Sequence, residues 1–82
     1  MNQMNPRVES VEVLAEYKLK LTFADGSVGV FDCSGLLDFG IFSELKDPEY
    51  FAQAKVVDGT VAWPNEQDIC PDTLYMDSSR VA

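Results

Sequence analysis

The chain has 82 residues, of which 46% are hydrophobic, so it can form one domain with a thin core, and wholesale disorder is unexpected. Fourteen acidic side chains against six basic ones give a formal charge of −8. That charge repels phosphate backbones and anionic lipid; it argues against nucleic acid or membrane as a direct partner and favours a small basic protein, or only solubility.

Residues 1–7 read as a loose lead-in. From Val11 to Phe23 the odd positions are apolar and the even ones polar except Leu14, the period-two signature of a strand with one buried face. Thirteen residues is long for one strand, so a break is expected near Ala15-Glu16. Asp25-Gly26 reads as a two-residue hairpin turn. That loop length pairs Phe23 with Val28 and Leu21 with Val30, puts all four on one face, and sends Phe31 to the other face opposite Lys20.

Ser34 is placed to cap a short turn carrying Leu36 and Leu37. Phe39-Gly40-Ile41-Phe42 is a hydrophobic corner, and Phe42 and Leu45 can share a helical face. Asp47-Pro48-Glu49 is a helix start, with a capping carboxylate, proline first and an acid in the first turn. Asp58-Gly59 is a second two-residue turn, pairing Val57 with Thr60, Val56 with Val61 and Ala54 with Trp63.

Val61-Ala62-Trp63 ends a strand, because Pro64 has no N–H to donate. Asn65 to Asp68 reads as a polar loop. Pro71 suits the first position of a helical turn, and Asp72 its positive end. The tail from Asp77 to Ala82 has no pattern and is expected to be loose. The reading is one α+β domain over residues 1–82: a small antiparallel sheet built from two hairpins, with short helices packed on one face.

The chemistry is mostly one of exclusions. There is no histidine, which removes Ser-His and Cys-His pairs, histidine bases and most zinc sites. Phosphate-cradling glycine loops and EF-hand spacing are absent. Cys33 and Cys70 are far apart, form no C-x-x-C pair, and read as small buried hydrophobes. Neither sits in the electropositive setting a thiolate nucleophile needs. No enzyme activity, catalytic residue, cofactor or metal is expected. No apolar run nears the roughly 18 residues that span a bilayer, and no signal segment is visible, so a cytoplasmic protein is expected.

Three stretches carry a resemblance. They are Leu19-Lys20-Leu21-Thr22-Phe23-Ala24-Asp25-Gly26, then Phe42-Ser43-Glu44-Leu45-Lys46-Asp47-Pro48-Glu49-Tyr50-Phe51, then Val61 to Tyr75 around Trp63-Pro64-Asn65. On these the chain resembles the bacterial family called domain of unknown function 2442. It departs at Glu66, where the family usually has glycine. The resemblance implies a small α+β module, found alone or joined to a helix-turn-helix domain. It also implies, for solitary members, one side of a toxin–antitoxin pair, and with the charge of −8 the leading expectation is a protein-interaction module on the antitoxin-like side. The candidate interaction surface is Trp63, Asn65, Glu66, Asp68, Asp72 and Tyr75. Alternatives are a small-ligand or divalent-metal site at Glu66, Asp68 and Asp72, and a homodimer joined edge to edge.

Overall fold

The computed structural model describes residues 5–81. Strand β1 (Val8–Leu14) turns back through Ala15-Glu16-Tyr17 into β2 (Lys18–Phe23), so the break falls where the strand length required it. Glu16 and Tyr17 both take left-handed backbone, at φ 63° and 62°. Strand β3 (Val28–Asp32) follows. A 3₁₀ turn (Ser34–Leu36) and a 3₁₀ helix (Gly40–Lys46) then lead into α1 (Pro48–Phe51). The later half runs β4 (Lys55–Val57), β5 (Thr60–Ala62), β6 (Asp68–Ile69), α2 (Pro71–Asp77) and β7 (Ser79–Arg80).

The α+β class holds, with the two hairpins in separate antiparallel sheets. One sheet has the order β1-β2-β3-β7 and the other β4-β5-β6. The tip of the β4–β5 hairpin reaches β1, where the Val8 N–H donates to the Gly59 carbonyl at 3.0 Å. One core joins the two sheets: Leu19, Leu21, Phe23 and Phe31 from the first meet Val61 and Ile69 of the second, with Leu45, Phe51, Trp63 and Leu74 between.

The first hairpin differs from its expected register by one residue. Leu19 faces Phe31, Leu21 faces Gly29 and Thr22 faces Val28. The loop has three residues, because the Phe23 N–H donates to the Ser27 carbonyl and the Gly26 N–H to the Phe23 carbonyl, both at 2.9 Å. Only Gly26 needs positive φ, at 89°, the pattern of a turn closed by a one-residue bulge. Phe31 therefore points into the core, and Val28 and Val30 stand half-buried on the outer face with Lys18 and Lys20. The second Asp-Gly pair does make a two-residue turn, with Asp58 at φ 52° and Gly59 at 80°, and Val57–Thr60 and Val56–Val61 pair as expected.

The first and last described segments are tied down more than the pattern suggested. A bulge at Glu9 shifts the strand's phase, so that Val8 is buried opposite Phe23 although Val11 also faces inward. The Arg7 carbonyl accepts from the Ala24 N–H at 2.8 Å. At the other end Asp77 belongs to α2, and Ser79–Arg80 pairs with Val30–Gly29. The Arg80 guanidinium lies 4.2 Å from the Tyr75 ring centroid and donates to the Tyr75 carbonyl at 2.9 Å. Residues 1–4 and 82, also expected loose, lie outside the described residues.

The capping chemistry is as read at α1, where the Asp47 carboxylate accepts from the Glu49 N–H at 3.0 Å. It differs at the turn after β3. There the Asp32 carboxylate accepts from the Ser34 N–H at 2.9 Å, and Ser34 itself caps nothing.

Candidate functional site

The six residues of the expected surface differ in exposure and in the partners they hold. Trp63 is 2% exposed; it stacks on Phe51 and donates its indole N–H to the Phe51 carbonyl at 3.0 Å. It anchors the core and is not available to a partner. Tyr75 is half-buried against Phe23 and Arg80, and its hydroxyl donates to Asp25 at 3.3 Å. Asp72 accepts from Asn5 at 3.2 Å. Asp68 is paired in β6 with Ala62 and exposed, and Glu66 is exposed at the tip of a turn. Among the described residues, no three His, Cys, Asp or Glu side chains form a group that could hold a metal ion. The acids at 66, 68 and 72 therefore do not form one.

A different set of residues does come together. Gln67, expected in a polar loop, is 0% exposed. A buried amide needs a partner for its oxygen and for its nitrogen, and this one has both. Its Oε1 accepts from the Tyr50 hydroxyl at 2.6 Å, and its Nε2 donates to Glu44 at 2.7 Å and to the Ile41 carbonyl at 2.8 Å. The Tyr50 oxygen accepts in turn from the Asn65 N–H at 2.8 Å, and Asn65 Nδ2 donates to the other Glu44 oxygen at 2.9 Å. Glu44, Gln67, Tyr50 and Asn65 thus close a ring of hydrogen bonds. The ring ties the 3₁₀ helix, α1 and the Trp63–Gln67 turn into one body.

That body carries two large apolar side chains outward. Phe39 is 65% exposed and Ile41 60% exposed, whereas Phe42 and Leu45 of the same segment pack inward. The Tyr17 hydroxyl donates to the Lys46 carbonyl and pins the far end of the helix. A shallow cleft of about 170 Å³ opens nearby between the β1–β2 turn and α1, lined by Val13, Leu14, Tyr17, Pro48 and Phe51. The hydrophobic corner at residues 39–42 was visible in the sequence; that its first and third residues stay in solvent was not.

The two thiols differ. Cys33 is buried, and desolvation pushes its thiol up to about 12. Cys70, expected buried, is exposed just before Pro71. Its position as the N-cap residue of α2 turns the sulfur toward Thr73 Oγ1 at 3.3 Å, and that hydrogen bond holds its pKa below the usual thiol range.

The chain matches the protein family of unknown function DUF2442 over residues 8–79, and it belongs to that family. Among solved structures it is similar to the "Putative DNA Binding Protein NE0471" of Nitrosomonas europaea ATCC 19718. The TM-score is 0.82 at 29% identity over 95% of this chain. The chain spans 52% of the length of that protein. No curated protein matches. The similarity to NE0471 corrects the exclusion of nucleic acid drawn from net charge, since a protein of that name shares this fold. Net charge averages over a whole surface and does not exclude a local contact. Among the described residues, no helix is long and apolar enough to cross a membrane.

Proposed function

We propose that this chain is a non-catalytic, cytoplasmic protein-interaction module, of the antitoxin-like kind that the family resemblance implies. The observation that supports this reading is the exposed pair Phe39 and Ile41, held on a segment fixed by the buried Gln67 ring. Exposed apolar side chains on a rigid mount lose little conformational freedom when a partner covers them. The test is recovery of the tagged chain from its own cells after reversible crosslinking. A protein recovered in stoichiometric amount is expected; recovery of the chain by itself would overturn the reading.

The name of NE0471 favours a second reading, association with DNA. Lys18 and Lys20 face outward on the four-stranded sheet beside half-buried Val28 and Val30, and a phosphate contact there would be strongly salt-dependent. Fluorescence anisotropy of a labelled duplex at about 50 mM and about 200 mM salt tests it. Saturable binding that Lys18→Glu with Lys20→Glu abolishes supports this reading, and a flat signal removes it.

A further inference from the structure

We infer that Phe39 and Ile41 insert into an apolar cleft on a protein partner, and that the rim of that cleft carries lysine or arginine. The inference rests on the protein-interaction reading above and adds the contact point and the partner's chemistry.

The 3₁₀ helix Gly40–Lys46 is apolar in two directions. Phe42 and Leu45 serve the core of this chain. Phe39, just before the helix, and Ile41 within it are not part of that core, and both stay mostly in water. A helix with apolar residues on both sides is accounted for by two packing partners, one within the fold and one outside it. The mount is preorganised as well. The Gln67 amide grips the Ile41 carbonyl, the Phe39 N–H donates to the Leu36 carbonyl at 3.0 Å, and the Phe42 N–H to the Phe39 carbonyl at 2.8 Å.

Charge selects the partner. The stretch from Asp38 to Glu49, with the Glu66 turn bonded to it through Asn65, carries five carboxylates, Asp38, Glu44, Asp47, Glu49 and Glu66. It carries one ammonium group, Lys46, which already lies 3.2 Å from Asp38. This stretch is more one-sidedly acidic than the chain as a whole, with its fourteen acids and six bases. A second copy would bring the same carboxylates against it. A cleft rimmed by lysine or arginine supplies the complementary potential while its floor covers the two apolar side chains. Central apolar anchors inside a polar rim are where interface energy concentrates.

The experiment places a photo-crosslinking residue in the full chain in its own cells, as Phe39→p-benzoylphenylalanine, with Lys20→p-benzoylphenylalanine on the outer sheet face as the comparison. The adduct is identified, and the protein found is purified for binding measurements. Crosslinking to a protein from position 39 and not from position 20 is expected. Phe39→Ser and Ile41→Ser should each then weaken binding at least about tenfold, with unchanged melting temperature. Added salt, or Asp38→Asn with Glu66→Gln, should weaken it further. Adducts from position 20 alone, an adduct with a second copy or with DNA, or affinity untouched by Phe39→Ser would overturn the inference and leave the broader reading to its own test. Absence of any protein adduct from either position would overturn the inference, and only recovery of the chain by itself after reversible crosslinking would remove the broader reading as well.

Discussion

The hydroxyl of Tyr50 donates to Gln67 Oε1 at 2.6 Å while accepting from the Asn65 backbone N–H at 2.8 Å. One oxygen thus satisfies two groups of the Trp63–Gln67 turn. Tyr50→Phe keeps the ring packed but leaves the buried Gln67 carbonyl without its donor. A loss of about 1–3 kcal/mol is expected, read as a lower urea midpoint at unchanged slope. An unchanged midpoint would mean that water replaces the hydroxyl.

Glu66 stands at φ 75° in a turn that repeats the bonding of the first hairpin loop. The Trp63 N–H donates to the Gln67 carbonyl at 2.9 Å and the Glu66 N–H to the Trp63 carbonyl at 3.1 Å, as Phe23, Gly26 and Ser27 do earlier. Where the first loop has Gly26, this one has a side chain in the left-handed region. Glu66→Gly should therefore raise stability by about 1 kcal/mol, through relief of left-handed strain. A melting temperature that falls instead would show that the greater freedom of glycine in the unfolded chain outweighs the relief.

The two cysteines should titrate as two separate populations. Cys70 is exposed, with its pKa lowered by the Thr73 hydroxyl, so it should react promptly with a disulfide reagent at neutral pH. Cys33, held near 12 by burial, should react only after denaturant is added. Two fast thiols in the native protein would contradict the buried position of Cys33.

Gly29 faces Leu21 on the core side, where the tail closes over it. A Cβ there would sit 2.6 Å from Ser78 Oγ, 3.1 Å from Ser78 Cβ and 3.2 Å from Arg80 Nη1. Gly29→Ala should push β7 off the sheet edge and cost about 1–3 kcal/mol. Faster proteolysis confined to the last residues, with β2 and β3 still protected from amide exchange, is the outcome to measure.

Acid should weaken the fold from the turn at Asp25. The Ser27 hydroxyl donates to its carboxylate at 2.6 Å and the Ser27 N–H at 2.9 Å, and these bonds hold its pKa below the ordinary 3.8. A depressed folded-state pKa gives stability that is fully present above the unfolded value and is lost as pH falls through the folded one. The Ser34 N–H acts the same way on Asp32. Melting temperature should thus decline below about pH 4, and Asp25→Asn should flatten part of that decline.

Legibility in the sequence followed the kind of signal. Alternation found the buried faces of β1 and β2, and the Asp47-Pro48-Glu49 start of α1 was read from its cap. Asp-Gly announced both hairpins but not their loop lengths. At Asp58 both turn residues take positive φ, whereas at Asp25 the carboxylate binds Ser27 and only the glycine does. One residue of difference moved Phe31 from the outer face to the core. The candidate site was less legible. Acids and a tryptophan drew the expectation to Trp63 and its loop. Gln67 sits among polar neighbours, and nothing in its local pattern marks an amide whose partners lie 17, 23 and 26 positions away.

The bond from Val8 to Gly59 has a consequence for the chain in crowded solution. An open sheet margin invites unwanted growth by strand addition, and β1 is the outermost long strand of its sheet. Here the late hairpin's tip and the Arg7 side chain, which donates to the Asp58 carbonyl, plug the start of that margin, and the Glu9 bulge twists it out of line. The molecule thus carries its own guard against fibrous stacking, set in place only when its first strand and its second sheet have met.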